Sequence, residues 1–124
     1  MTPAKWGEYP NFTKAEFDCK HTGENQMKHE FMLKLVTLRL RYGKPLRVTS
    51  GYRDVTHPAE ARKSISGAHS HGVAADFALQ GADAYRVLEL AFALGFTGIG
   101  IQQKGDGKFI HLDIHTDYPR IWSY

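Results

Sequence analysis

The chain has a single cysteine, Cys19, in 124 residues, so no internal disulfide can form and a packed core must hold the fold. No stretch approaches the length of uninterrupted apolar residues that a membrane-spanning helix needs. The opening residues, MTPAKWGEYPNF, lack a basic segment followed by an apolar one, so no secretory signal peptide is expected. Internal repeats, low-complexity tracts and linkers are also missing, which points to one domain over 1–124. There is no Lys/Arg block: 16 basic residues are scattered among 13 acidic ones, for a net charge of +3. That distribution argues against nucleic acid as a partner, while the mild excess suits an anionic polymer.

What is present reads as α+β. Thr13 and Glu16 form a capping-box pattern that opens a brief helix, anchored by Phe12 and Phe17. From Met27 to Tyr42, Phe31, Leu35, Leu38 and Tyr42 recur on one helical face, and Gly43 with Pro45 supplies the stop. A short strand is expected over Leu46–Thr49, then a loop-rich stretch over 51–68 with a helical turn at 58–63. A third helix over Asp83–Leu94 is expected to bury Tyr85, Leu88 and Phe92 and to stop at Gly95. Strands over Gly98–Gln102 and Lys108–Ile114 flank a Gly105-Asp106-Gly107 turn. The expected architecture is a small, largely antiparallel sheet with helices packed on one side.

Two strands carry an unusual face. Side chains alternate along a strand, so Val73, Ala75, Phe77 and Leu79 share an apolar side, and Gly72, Ala74 and Asp76 share the other. A carboxylate flanked by Gly and Ala has space around it for an ion and a substrate. In the last strand Ile110, Leu112 and Ile114 face inward, whereas Phe109, His111, Asp113 and His115 face the opposite way. Catalytic zinc takes three protein ligands from His, Asp or Glu and leaves a position open. His69, Asp76 and His111 can supply that set. Spacing alone leaves the plainer reading open, in which the histidines are surface or hydrogen-bonded core residues and the aspartates bond backbone amides at strand ends.

Four segments in order carry a resemblance. Asn11-Phe12-Thr13-Lys14-Ala15-Glu16-Phe17, then Ser50-Gly51-Tyr52-Arg53, then His69-x-x-Gly72-x-Ala74-x-Asp76, then His111-x-Asp113 about 35 residues further on resemble the M15 peptidases. The ending Arg120-Ile121-Trp122 is similar to the short, phage-associated branch. These are zinc D-Ala-D-Ala carboxypeptidases and peptidoglycan endopeptidases that share a fold with the Hedgehog signalling domain. The resemblance spans roughly residues 11 to 122.

It implies zinc held by His69, Asp76 and His111, with Arg53 beside the site to hold a substrate carboxylate or an oxyanion. It also exposes a departure. Where better-known branches place a general base shortly before the last ligand, this chain has Lys108 and Phe109. Asp113, about 7 Å from His111 along the strand, is the expected base or an orienting partner for a ligand. The alternative makes Asp113 a ligand and His111 the acid/base. Tyr52 is expected to pack, His71 to be an exposed bystander, His115 to lie past the sheet edge, and Cys19 with His21 to hold no metal. No role falls to His57, and Gly67 replaces a serine common in relatives. The implied protein is a monomeric lysin made in the cytoplasm and acting on peptidoglycan peptide stems at the cell wall. A non-catalytic, zinc-containing binding module of the same fold is the alternative.

Overall fold

Helix α2 (His29–Tyr42) buries Phe31, Met32, Leu35 and Leu38 along one stripe, and these form the centre of the core. Gly43 ends it in the left-handed region at φ 76°, donating its N–H to the Arg39 carbonyl. Helix α1 (Lys14–Phe17) begins at the expected capping box: the Glu16 side chain accepts the Thr13 N–H at 2.8 Å. Among the described residues there are five strands: β1 (Val48–Ser50), β2 (Ala74–Ala78), β3 (Gly98–Gln102), β4 (Phe109–Asp113) and β5 (Arg120–Ser123). Helix α3 (Gly81–Leu94) crosses between β2 and β3. This computed structural model describes residues 1–60 and 67–124, so the helical turn expected at 58–63 lies partly outside the described residues.

The strands form one sheet in the order β1-β2-β4-β3-β5. Three pairings are antiparallel, but β5 runs parallel to β3, so the sheet is mixed rather than antiparallel. The fifth strand escaped sequence reading because its four residues, Arg120-Ile121-Trp122-Ser123, are half-buried at most and form no apolar run. The helices cover one face of the sheet. Ala75, Phe77, Ile99, Ile110 and Leu112 point into that core, each 2% exposed or less, and the opposite face is left for polar side chains. Burying each large apolar side chain contributes roughly 1.5–3 kcal/mol, which is how a chain without disulfides stays folded.

The face of α3 differs from expectation. Ala84, Val87, Leu90 and Ala91 are buried, whereas Tyr85 and Phe92 are 74% and 57% exposed. Helix α3 packs against α2 and β4. Alanines at the contact let it approach closely, so the bulky residues that suggested a core face are turned outward.

The 3-10 turn Ala68–His71 ends at Gly72, with φ 73°. A Cβ on Gly72 would run into the Gln26 carbonyl, and the Lys28 N–H bonds the Gly72 carbonyl at 2.9 Å. Gly72 therefore lets the turn pass against the 26–28 segment; the space that sequence reading assigned to an ion there is filled by backbone. Gly43 has nearly the same φ, 76°, but open space around it. Gly43→Ala is expected to cost about 1 kcal/mol, the left-handed penalty alone. Gly72→Ala is expected to cost at least about 2 kcal/mol more because backbone must also shift. Paired denaturant melts of the two variants check this.

Candidate metal centre

The register of the sheet builds the site. Asp76 on β2 lies directly across from His111 on β4, and Ala74 across from Asp113. On the other side of β4, Gly100 faces His111 and Gly98 faces Asp113, and these glycines pair in turn with Trp122 and Arg120 on β5. Strand alternation thus gathers Asp76, His111, Asp113, Arg120 and Trp122 on the face the helices leave open. His69 reaches this face from the 3-10 turn, clamped by the Val73 N–H to the Ala68 carbonyl at 3.3 Å.

The three side chains converge. Asp76 Oδ1 lies 2.9 Å from His111 Nδ1 and 3.3 Å from His69 Nε2, and all three residues are no more than 6% exposed. One ligand atom from each falls within 4.8 Å of the others, so His69, Asp76 and His111 form a possible metal site. The outer nitrogens of both rings are occupied. His69 Nδ1 bonds the Gly51 carbonyl at 2.8 Å, and His111 Nε2 bonds Asp113 Oδ2 at 2.7 Å. Partners of this kind fix ring orientation and tautomer at metal sites, leaving the inner nitrogen as the donor. The donor set fits a divalent ion that takes imidazole and carboxylate. Burial works to raise the Asp76 pKa, but hydrogen bonds from His111 and His69 overcome it and hold the carboxyl well below its usual range.

Asp113 is 1% exposed and both its oxygens are engaged. Oδ2 accepts from His111, while Oδ1 accepts the His115 N–H at 2.9 Å and the Arg120 guanidinium at 2.5 Å. Burial opposes ionisation of Asp113, yet these donors lower its pKa. On His111, burial lowers the pKa and the two carboxylates raise it, with a net rise. A Cβ on Gly98 would collide with the Asp113 carboxylate, so glycine there is what admits the acid behind the ring.

Arg53 lies on the β1 side. Its Nε bonds Ser50 Oγ at 3.0 Å, Nη2 lies 3.3 Å from Asp76 Oδ2, and Nη1 lies 3.7 Å from Glu60 Oε2. Glu60, 3% exposed, was not singled out by sequence reading. Its Oε1 accepts both the Gly67 N–H and the Ser70 hydroxyl at 3.1 Å. One buried carboxylate thus ties Arg53 to the turn that carries His69. Nothing local announces Glu60, since Arg53, Gly67 and Ser70 meet it only in the tertiary structure.

The cleft over these groups encloses about 390 Å³ and is lined also by Phe109, His115, Trp122 and Tyr124. His71 is exposed and lies outside the converging set, its ring 4.9 Å from that of His115, which follows the end of β4. Tyr52 is buried in the core. His57 bonds the Ala59 N–H, and Cys19 is a buried free thiol that accepts the Asp54 N–H at 3.3 Å. Lys108 does not line the cleft.

With this geometry in hand, comparison with protein families matches the Peptidase M15 model over residues 10–113. The chain belongs to the Peptidase M15 family, and its class is that of the metallopeptidases. No curated protein gives a significant match to the chain. No helix among the described residues is long and apolar enough to cross a membrane.

Glu60→Ala is expected to lower stability by about 2–4 kcal/mol, because it strips two donors and a guanidinium of a buried acceptor. Divalent-metal affinity should fall with it, since the His69 turn loses its tie. Denaturant titration and a competition assay with a chromogenic chelator measure the two effects.

Proposed function

We propose that the protein is a zinc peptidase that hydrolyses peptide bonds in the stems or cross-links of bacterial peptidoglycan. It would serve as a phage-type lysin, an endopeptidase or D,D-carboxypeptidase acting as a monomer at the cell wall. The observation that carries the reading is the buried His69/Asp76/His111 set, in which each imidazole has its outer nitrogen already bonded. The mixed sheet, with helices on one face and this set on the other, supports a Hedgehog/DD-peptidase type of fold. His69 Nε2, Asp76 and His111 Nδ1 would hold the ion. Bound there, zinc supplies a Lewis acid for the scissile carbonyl and for activating water.

The remaining work belongs to side chains of this chain. Arg53 lines the cleft beside Asp76 and presents a planar fork of donors, suited to a carboxylate of the substrate or to charge developing on its carbonyl oxygen. Asp113 acts through His111: with its oxygens bonded to His111, His115 and Arg120, it holds the ring rather than taking a proton from solvent. The net charge of +3 favours approach to an anionic wall.

Mass spectrometry of purified muropeptides tests the proposal. Wild type should release peptide products, and the masses name the bond. Chelation should abolish release and zinc should restore it, at about one ion per chain. Asp76→Ala and His111→Ala should be inactive. Asp113→Asn should lower kcat/KM and zinc affinity by about 10–100-fold, the usual cost of losing a partner behind a metal-bound imidazole. Stoichiometric zinc without any product would instead mark a binding module.

A further inference from the structure

The β5 flank of the cleft carries a hydroxyl that neither the family motifs nor the metal set accounts for. Tyr124 continues the line of β5, its N–H bonded to the Ile101 carbonyl at 3.4 Å, and its ring lies 4.9 Å from that of Phe109. The phenol is turned into the cleft over Gly100. A Cβ on Gly100 would lie 2.9 Å from the Tyr124 hydroxyl and 2.7 Å from Trp122 Nε1. Gly100 is the β3 residue directly across from His111, and the Trp122 ring lies 5.1 Å from the His111 ring. The absence of a side chain at Gly100 therefore seats a phenol beside the metal-facing histidine.

The hydroxyl is oriented as well as placed. Trp122 Nε1 and the Tyr124 oxygen meet over Gly100, and an indole N–H can only donate, so the phenolic hydrogen is left for a second partner in the cleft. Burial pushes the Tyr124 pKa up, so the group remains protonated and a donor at neutral pH. Arg53 stands on the opposite side of Asp76, toward β1, so the donors Arg53 and Tyr124 flank the converging set from its two sides.

We infer that Tyr124 is a catalytic donor: its phenol, held by Trp122 over Gly100, donates a hydrogen bond to the oxyanion that develops on the scissile carbonyl. The inference rests on the peptidase reading of the site. Hydrolysis adds water across the C–N bond, with oxygen going to the carbonyl carbon and a proton to the leaving amine. Tyr124 keeps its own proton throughout and stabilises only the charge that forms on the carbonyl oxygen. Fixed donors aimed at developing charge act on the transition state more than on bound substrate, so their loss appears in kcat.

Tyr124→Phe keeps the ring and its packing and removes only the hydroxyl, and Tyr85→Phe on the exposed face of α3 serves as the control. Two readouts are needed: muropeptide turnover, and calorimetric titration of the zinc-loaded protein with inorganic phosphate, a tetrahedral oxyanion. Tyr124→Phe should lower kcat at least about tenfold with KM within about threefold. It should weaken phosphate binding at least about fivefold and leave zinc affinity unchanged. Where wild type turns over, a kcat within twofold of wild type for Tyr124→Phe overturns the inference. A wild type that binds phosphate but cleaves nothing sinks the peptidase reading. In that case weakened phosphate binding in Tyr124→Phe still supports the donor, and unchanged binding overturns it.

Discussion

The register of β2 against β4 is the constraint on which the site depends. It sets Asp76 across from His111 and Ala74 across from Asp113, and the side-chain period of two then fixes which face each occupies. A slip of one residue would turn both carboxylates and the imidazole into the helix-covered core. It would also turn Phe77, Ile110 and Leu112 out to water. The hydrophobic burial that stabilises the fold thus also enforces the geometry of the polar face. The core supplies that enforcement without a disulfide, since the sole cysteine is a free thiol.

Small residues give the polar face its depth. Ala74 and Ala78 flank Asp76 on β2, while Gly98 and Gly100 stand opposite Asp113 and His111 on β3. Gly98 admits the Asp113 carboxylate behind the His111 ring, and Gly100 admits the Trp122 and Tyr124 side chains from the far edge. Bulky side chains from β4 and β5 can then lie over β3. Among the described residues the two buried aspartates each have three partners: Asp76 two imidazoles and Arg53, and Asp113 His111, Arg120 and a backbone amide. A buried carboxylate without such partners would be costly, and removing any one partner leaves another exposed to that cost.

Much of this was legible in the residues. The alternation in VAADFAL and FIHLDIH assigned Asp76, His111 and Asp113 to polar faces, and helix α2 followed from its apolar stripe and glycine stop. Other features were not, because their signal is not local. Aromatic bulk suggested the wrong face of α3, where close packing on α2 calls for alanine. No local pattern marks Gly98 and Gly100 as the positions that admit Asp113, Trp122 and Tyr124, or Glu60 as the acceptor for Gly67 and Ser70.

By itself the sequence determined the α+β class and the alternation that sorts core from polar face, and it offered His69, Asp76 and His111 as candidate ligands. Those are properties of period, side-chain chemistry and short-range turns. Only the tertiary structure decided that the two polar faces are neighbours in one mixed sheet, that β5 returns parallel to β3, and that Asp113 lies behind His111 with Arg120 at its other oxygen. It also decided that Gly72 yields to the 26–28 backbone and that Tyr124 overhangs the site. Strand order, register and the meeting of distant loops are set by how the whole core packs, and no local pattern encodes them.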